Sequence, residues 1–221
     1  MEWTFGIPTD GDSSNTRLPK VLSSIEALGI PSFEIILCVE KKNPLLPYRQ
    51  IEVPEKKPCW ISKKKNELLK AAKFENICIV HDYLAFAPGW KEAYEGFKEP
   101  WEACSNQVRN LSSKGPRIAD WIGWAKGGLF LLPYDMSVPN MFLSGMYFCV
   151  KRSFVEKHGL YFDEGKLWGQ AEDQEWSKRA IKHTKFAFNR AAMLVGPAHM
   201  IGQHFMEMRG VWRVEAGNLF L

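Results

Sequence analysis

Three stretches hold residue types that could do chemistry. The first is Ile77-Cys78-Ile79-Val80-His81-Asp82-Tyr83, an apolar run that ends in an imidazole and a carboxylate. Buried parallel strands deliver polar groups to the C-terminal edge of their sheet, where ligands bind. A carboxylate there could hold a hard divalent cation whose remaining oxygen ligands come from a diphosphate. The same Asp82 could instead form a turn or cap a helix, and His81 alone reads first as a hydrogen-bonded structural histidine. The second stretch is Lys63-Lys64-Lys65-Asn66. Cations and a helix N-terminus both attract phosphate, but a solvated helix face explains the run equally well. The third is Trp168-Gly169-Gln170-Ala171-Glu172-Asp173-Gln174-Glu175, with Arg179 following. Two carboxylates at a helix start suit the helix dipole. One of them could also take a proton from a hydroxyl nucleophile.

These stretches need elements to position them. Trp3 to Pro8 reads as a strand. Leu18, Val21, Leu22, Ile25 and Leu28 then recur at helical spacing from Arg17, with Thr16 as cap, and Phe33 to Val39 is a second strand. That is a βαβ unit and hence a parallel pair. Lys41 to Pro58 reads as a Pro- and Lys-rich loop. Ser62 caps a helix through Lys73, which feeds the strand Asn76 to Val80. A short helix opens at Ala87-Pro88-Gly89-Trp90. Ala103 to Val108 reads as an edge strand, Gly127-Gly128 as a turn and Met146 to Val150 as a buried strand. Ser153 to His158 is helical. Glu172 to Lys182 is a helix with Trp176 and Ile181 inward, Lys185 to Val195 holds a late strand, and a polar tail follows Pro197.

With 221 residues, 46% of them hydrophobic, the chain can bury a sizeable core, and 24% charged residues disfavour disorder. The net charge of +4 is too small for the wide basic face of a nucleic-acid binder. Five scattered Cys without a CxxC pair exclude a zinc knuckle or disulfide scaffold. No signal peptide and no membrane-length apolar run are visible, so the expectation is a cytoplasmic protein. The nine Trp mostly read as core, though flat aromatic faces also suit sugars.

Three ordered pieces resemble the GT-A glycosyltransferases, especially the family 2-like enzymes. They are Ser62-Lys63-Lys64-Lys65-Asn66 leading to Ile79-Val80-His81-Asp82-Tyr83 and Pro88-Gly89-Trp90, then Ser144-Gly145-Met146 running to Lys151-Arg152, then Gly159 to Glu164 followed by Trp168-Gly169, Glu172-Asp173 and Arg179. The resemblance spans Trp3 to Val195. It implies an α/β fold: one GT-A, Rossmann-like domain over 1–221 with a mostly parallel sheet flanked by helices and a small antiparallel acceptor-side part. Residues 1–100 would form the nucleotide-sugar half, 101–198 the acceptor half and 199–221 a tail.

The resemblance also implies roles. A hexosyltransferase-like enzyme would move a sugar from a nucleoside diphosphate sugar, with uridine the commonest base, to the hydroxyl of a glycan, lipid-linked or other acceptor. Asp82 would bind Mn²⁺ or Mg²⁺. Pro8, Thr9, Asp10, Lys65, Asn66, His81, Gly145 and Met146 would border the donor. Asp173 would be the base of an inverting single displacement, Glu172 would hydrogen-bond the acceptor or a metal-bound water beside it, and Trp168, Gly169 and Glu172 would meet the acceptor. The family's acidic motif has two or three carboxylates, whereas His81 and Tyr83 flank a single Asp here. His199, or alternatively His204, would supply the missing metal ligand. A homodimer is compatible with this reading. Two other classes are a sugar-phosphate nucleotidyltransferase and a non-catalytic carbohydrate-binding module. The first lacks its Gly- and Arg-rich loop after strand one, and the second leaves the βαβ start unexplained.

Overall fold

The computed structural model describes residues 1–10, 16–56, 59–110, 116–125 and 128–196. An eight-stranded sheet runs through its centre. In chain order its strands are β1 (Trp3–Pro8), β2 (Phe33–Val39), β3 (Arg49–Glu52), β4 (Asn76–Val80), β5 (Ala85–Phe86), β6 (Ala103–Asn110), β10 (Tyr147–Lys151) and β11 (Ala187–Gly196). A second sheet of three strands holds β7 (Ile122–Ala125), β8 (Gly128–Leu131) and β9 (Met141–Phe142). The helices are α1 (Leu18–Glu26), α2 (Ile61–Ala71), α3 (Trp90–Glu95), α4 (Arg152–His158) and α5 (Glu172–Ala180).

The large sheet has the order β3-β2-β1-β4-β10-β6-β11-β5. The pairs β3–β2, β2–β1, β1–β4 and β6–β11 are parallel, while β10 lies antiparallel between β4 and β6. The expected βαβ start is present, with Trp3 opposite Phe33 in parallel register. The period-two pattern of β1 explains the layering. Trp3, Phe5 and Ile7 enter one core with α1 and α3, where Trp3, Trp90, Tyr94 and Trp101 pack ring against ring. The other face is covered by α2, α4 and α5 over Ile77, Ile79, Phe148, Phe162 and Trp176.

Four local expectations are corrected. The stretch Lys41 to Pro58 contains β3, which pairs in parallel with Ile36 to Val39. Its four residues, none of them fully buried, bring no apolar run that sequence reading could detect. The strand at Ala103 lies inside the sheet, not at its edge, because β10 and β11 flank it. Its polar side chains are internally bonded: Ser105 Oγ donates to the Asp120 carbonyl at 2.9 Å, and Asn106 accepts from Trp90 Nε1 at 3.2 Å and from Tyr147. Ser62 and Thr16 are not caps. The helix starts follow Trp60 and Arg17 without side-chain capping bonds, and Ser62 Oγ donates to the Lys166 carbonyl.

Asp120 anchors the small sheet to the large one. Its carboxylate is buried and accepts from the Arg117 guanidinium at 2.8 Å, Tyr134 Oη at 2.8 Å and the Val108 backbone at 3.2 Å. On the other side, α2 lies so close to β1 that a Cβ at Gly6 would stand 2.8 Å from Ile79 Cδ1 and 3.1 Å from Leu68 Cβ. Gly6→Ala should therefore cost about 1–3 kcal/mol through overpacking. Urea unfolding of the two proteins measures this, and an unchanged midpoint would show that α2 can retreat from the sheet.

Candidate active site

The site is built where α2 meets the C-terminal ends of β1 and β4. Adjacent helix residues point about 100° apart, so Lys64 and Lys65 leave α2 in different directions. Both are almost wholly buried, at 1% and 0% exposure, which corrects the reading of a solvated basic face. Lys64 Nζ donates to the Thr9 carbonyl at 2.7 Å and to Glu40 at 3.2 Å. Thr9 Oγ1 donates in turn to Asp82 Oδ2 at 2.8 Å and to Asp10 at 3.4 Å. One lysine thus fixes the ends of β1 and β2 to the carboxylate beyond β4. Pro8 ends β1 opposite Cys38, so Pro8, Thr9 and Asp10 line the same edge as Asp82.

Lys65 Nζ reaches the other way, to Glu172 Oε1 at 2.9 Å. Asp173 accepts from the Gly145 N–H at 2.8 Å and from the Gln174 N–H at 2.9 Å. Burial, then repulsion from Glu172, holds the Asp173 carboxyl above the usual carboxylate range, against the pull of Lys65 and those two N–H groups. Ala171, just before the pair, is left-handed at φ 57°, which turns the chain into α5. The connector between β9 and β10 is clamped to α5 twice, by Gly145 on Asp173 and by the Leu143 N–H on Ser177 Oγ at 3.1 Å.

Gly145 is the meeting point. A Cβ there would stand 2.6 Å from Lys65 Nζ, 2.9 Å from Glu172 Oε1 and 3.2 Å from Asp173 Cβ. Its carbonyl accepts from the His81 ring, and the His81 N–H donates to the Met146 carbonyl at 2.9 Å. Burial, aided by the positive charge of Lys65, pushes the His81 imidazole down to about 3, so it is neutral at physiological pH. Its Nε2 is buried without a hydrogen-bond partner among the described residues. Met146 is buried beside it. The structure therefore brings Lys65, His81, Gly145, Met146, Glu172 and Asp173 together, and joins Thr9, Asp10 and Asp82 to them through α2.

Three predicted residues lie on or against the loop that precedes α5. Asn66 is occupied by the Phe162–Glu164 turn: its amide donates to the Phe162 carbonyl at 2.9 Å and to Glu164 at 3.0 Å, and the Phe162 N–H returns a bond at 2.7 Å. Trp168 is 56% exposed on the loop beyond that turn, tied by its N–H to the Cys59 carbonyl at 2.9 Å, and Gly169 turns at φ 80°. His199 and His204 lie outside the described residues. Among the described residues no three His, Cys, Asp or Glu side chains gather as a metal cluster. Asp82 does present a hard oxygen donor at the sheet edge, which fits a divalent cation that takes its other ligands from phosphate.

Sequence reading missed a cleft of about 220 Å³ beside this site, lined by Trp124, Asn140, Met141, Phe142, Gln174 and Lys178. Its only sequence signal was the spacing of Gln174 and Lys178, one turn apart on α5.

A mostly parallel sheet, helices on both faces and a small antiparallel sheet beside the acid-bearing edge define the GT-A fold. Among solved structures, the crystal structure of S. aureus TarS 1–349, a GT-A family glycosyltransferase, superposes with a TM-score of 0.62 at 14% identity, covering 89% of this chain and 60% of that one. The same TarS portion in complex with UDP-GlcNAc gives a TM-score of 0.61 at 14% identity, over 89% and 58%. In complex with UDP it gives 0.59 at 14% identity, over 89% and 60%. The chain thus spans no more than 60% of these TarS chains. No protein-family profile and no curated protein matches it.

The buried pair makes a stability prediction. Lys65→Met leaves Glu172 buried without its partner and should cost about 3–5 kcal/mol. Lys65→Met combined with Glu172→Leu should recover most of that loss. Guanidinium unfolding of wild type, single and double variants measures it, and a double variant no better than the single would refute pairing as the cause.

Proposed function

We propose that the chain transfers a sugar from a uridine diphosphate sugar to an acceptor hydroxyl, with inversion. The observation that carries this reading is the placement of Asp173. It is a carboxylate of raised basicity, held by two N–H groups at the start of α5, next to the glycine that touches the His81–Asp82 edge. The likeness of the fold to TarS, solved with UDP and with UDP-GlcNAc, supports the choice of donor.

In this reading Thr9 and Asp10 border the nucleoside and Asp82 faces the diphosphate. Asp82 would hold Mn²⁺ or Mg²⁺, which when bound offsets charge on the departing diphosphate. The missing side chain at Gly145 lets the Lys65–Glu172 pair and Asp173 close up against the backbone beside the donor edge. His81 stays neutral and buried beside the donor edge. Asp173 takes the acceptor's proton as the hydroxyl attacks from the face opposite the diphosphate. Glu172 keeps Asp173 basic by repulsion while Lys65 holds Glu172 in place. Trp168 and Gly169 stand on the acceptor side, the acceptor being a glycan, lipid-linked or other hydroxyl compound.

Asp173→Asn should lower transfer by about 10²–10⁴-fold with UDP-sugar binding nearly intact. A radiolabelled-sugar transfer assay with a parallel binding titration checks this, and wild-type turnover would remove Asp173 as base. EDTA should suppress both donor binding and transfer, with recovery on adding Mn²⁺; full activity in chelator would remove the cation from Asp82.

The pH dependence follows from the raised Asp173. Activity needs the deprotonated form, so the acid limb of kcat/KM should lie above the ordinary Asp value of about 3.9. Glu172→Gln removes the repulsion and leaves Lys65 to act on Asp173 alone, so the limb should move to lower pH. A limb that stays in place or moves up would contradict this electrostatic account.

A further inference from the structure

The cleft beside Asp173 has a composition that the transfer chemistry does not use. Trp124 stands on its rim and is 50% exposed. Among the described residues, only Trp124 and Trp168 of the tryptophans are exposed. An exposed indole beside a cleft offers a flat apolar surface on which the apolar face of a sugar ring can stack. The backbone of Trp124 is fixed: it sits in β7 opposite Leu129, and its backbone N–H donates to the Asn140 carbonyl at 3.0 Å. Asn140 and Gln174 bring amides to the lining, and amides match the paired donors and acceptors of vicinal hydroxyls. Met141 and Phe142 of β9 form the apolar floor.

Lys178 adds charge. It projects from α5 one turn after Gln174 and is exposed. Its neighbours on the helix are otherwise paired: Glu175 binds Arg179 at 2.6 Å, and Glu172 binds Lys65 at 2.9 Å. Lys178 has no carboxylate partner among the described residues. The lining holds no acid, so the net charge of the cleft is positive. Asp173 and Ser177 lie on the helix face that clamps the connector, and Gln174 and Lys178 lie on the adjoining face. The cleft therefore adjoins the α5 face that carries the candidate base.

We propose that this cleft binds the acceptor, and that the acceptor is a saccharide with an anionic substituent. A sugar ring stacks on Trp124, Asn140 and Gln174 hold its hydroxyls, and Lys178 pairs with a carboxylate or phosphate on it. The assignment to an acceptor rests on Asp173 being the base; the saccharide binding itself does not.

The test uses the whole chain on an array of neutral, uronate-bearing and phosphate-bearing oligosaccharides, with and without UDP. The strongest binder and its uncharged parent are then titrated by intrinsic tryptophan fluorescence. Charged oligosaccharides should bind better than their neutral parents, and the uronate and phosphate arms show which anion is preferred. Trp124→Ala should weaken binding about tenfold or more. Lys178→Gln should remove the preference for the charged compound and leave the neutral one unchanged. Both side chains are exposed, and a thermal melt of each variant verifies its fold. No binding on the array, equal binding of charged and neutral compounds, or undiminished binding by Trp124→Ala would each overturn the proposal. UDP-GlcNAc binding is measured on the same wild-type sample. Its absence would count against the sugar-transfer reading and leave the saccharide result standing by itself.

Discussion

Two ammonium groups lie in the dry layer between α2 and the sheet, and an isolated charge there would cost several kcal/mol. The rest of the site follows from how each is satisfied. Lys64 takes the carbonyl beyond β1 and the carboxylate of Glu40 beyond β2. Lys65 takes Glu172 at the start of α5. Since the two side chains leave one rigid helix, the distance between the Thr9–Asp82 edge and the α5 carboxylates is set by α2 and not by flexible loops. The loop that carries Trp168 is joined to the same helix start through Trp60, Ser62 and Asn66. The Asp82 edge and the Asp173 carboxylate are thereby held to one frame.

Gly145 illustrates how tight that frame is. The ion pair and the candidate base both approach its Cα to within van der Waals distance of an absent side chain. The same residue gives its N–H to Asp173 and its carbonyl to the His81 ring. One residue thus orients the Asp173 carboxylate on one side and holds the imidazole on the other. His81 in the place of a second carboxylate then has a physical sense. A neutral ring can be buried there, whereas another anion would need a further cation, and both lysines are already engaged.

Much of this was legible in the sequence. The apolar runs of β4 and β10 and the spacing of α1 gave their elements, because burial on both faces or on one stripe leaves a clear pattern. Asp82 and Asp173 stood out because an acid directly follows a buried strand or opens a helix. What could not be read depended on distant partners. Lys64 and Lys65 look like surface residues until Glu40 and Glu172, 24 and 107 positions away, are known to meet them. β6 carries Ser105, Asn106 and Gln107, a composition typical of an edge. Only the partners Asp120, Trp90 and Tyr147 allow Ser105 and Asn106 to be buried. The Trp124 cleft arises where β7 and β9 approach α5, three segments with no local signature in common.

The long reach of the Lys65–Glu172 contact also bears on how the chain is made. Synthesis proceeds from the N-terminus, so α2 emerges well before the residue that neutralises it. β1, α1, β2 and α2 contain a βαβ unit that on local pattern could close early. Yet α2 cannot take its final seat on β1 without burying an ammonium that has no counter-ion. Glu172 on α5 supplies that counter-ion, so one of the last elements to be synthesised completes the packing of one of the first. A contact of such sequence separation is slow to form, and it ties the seating of α2 on β1 to the arrival of α5.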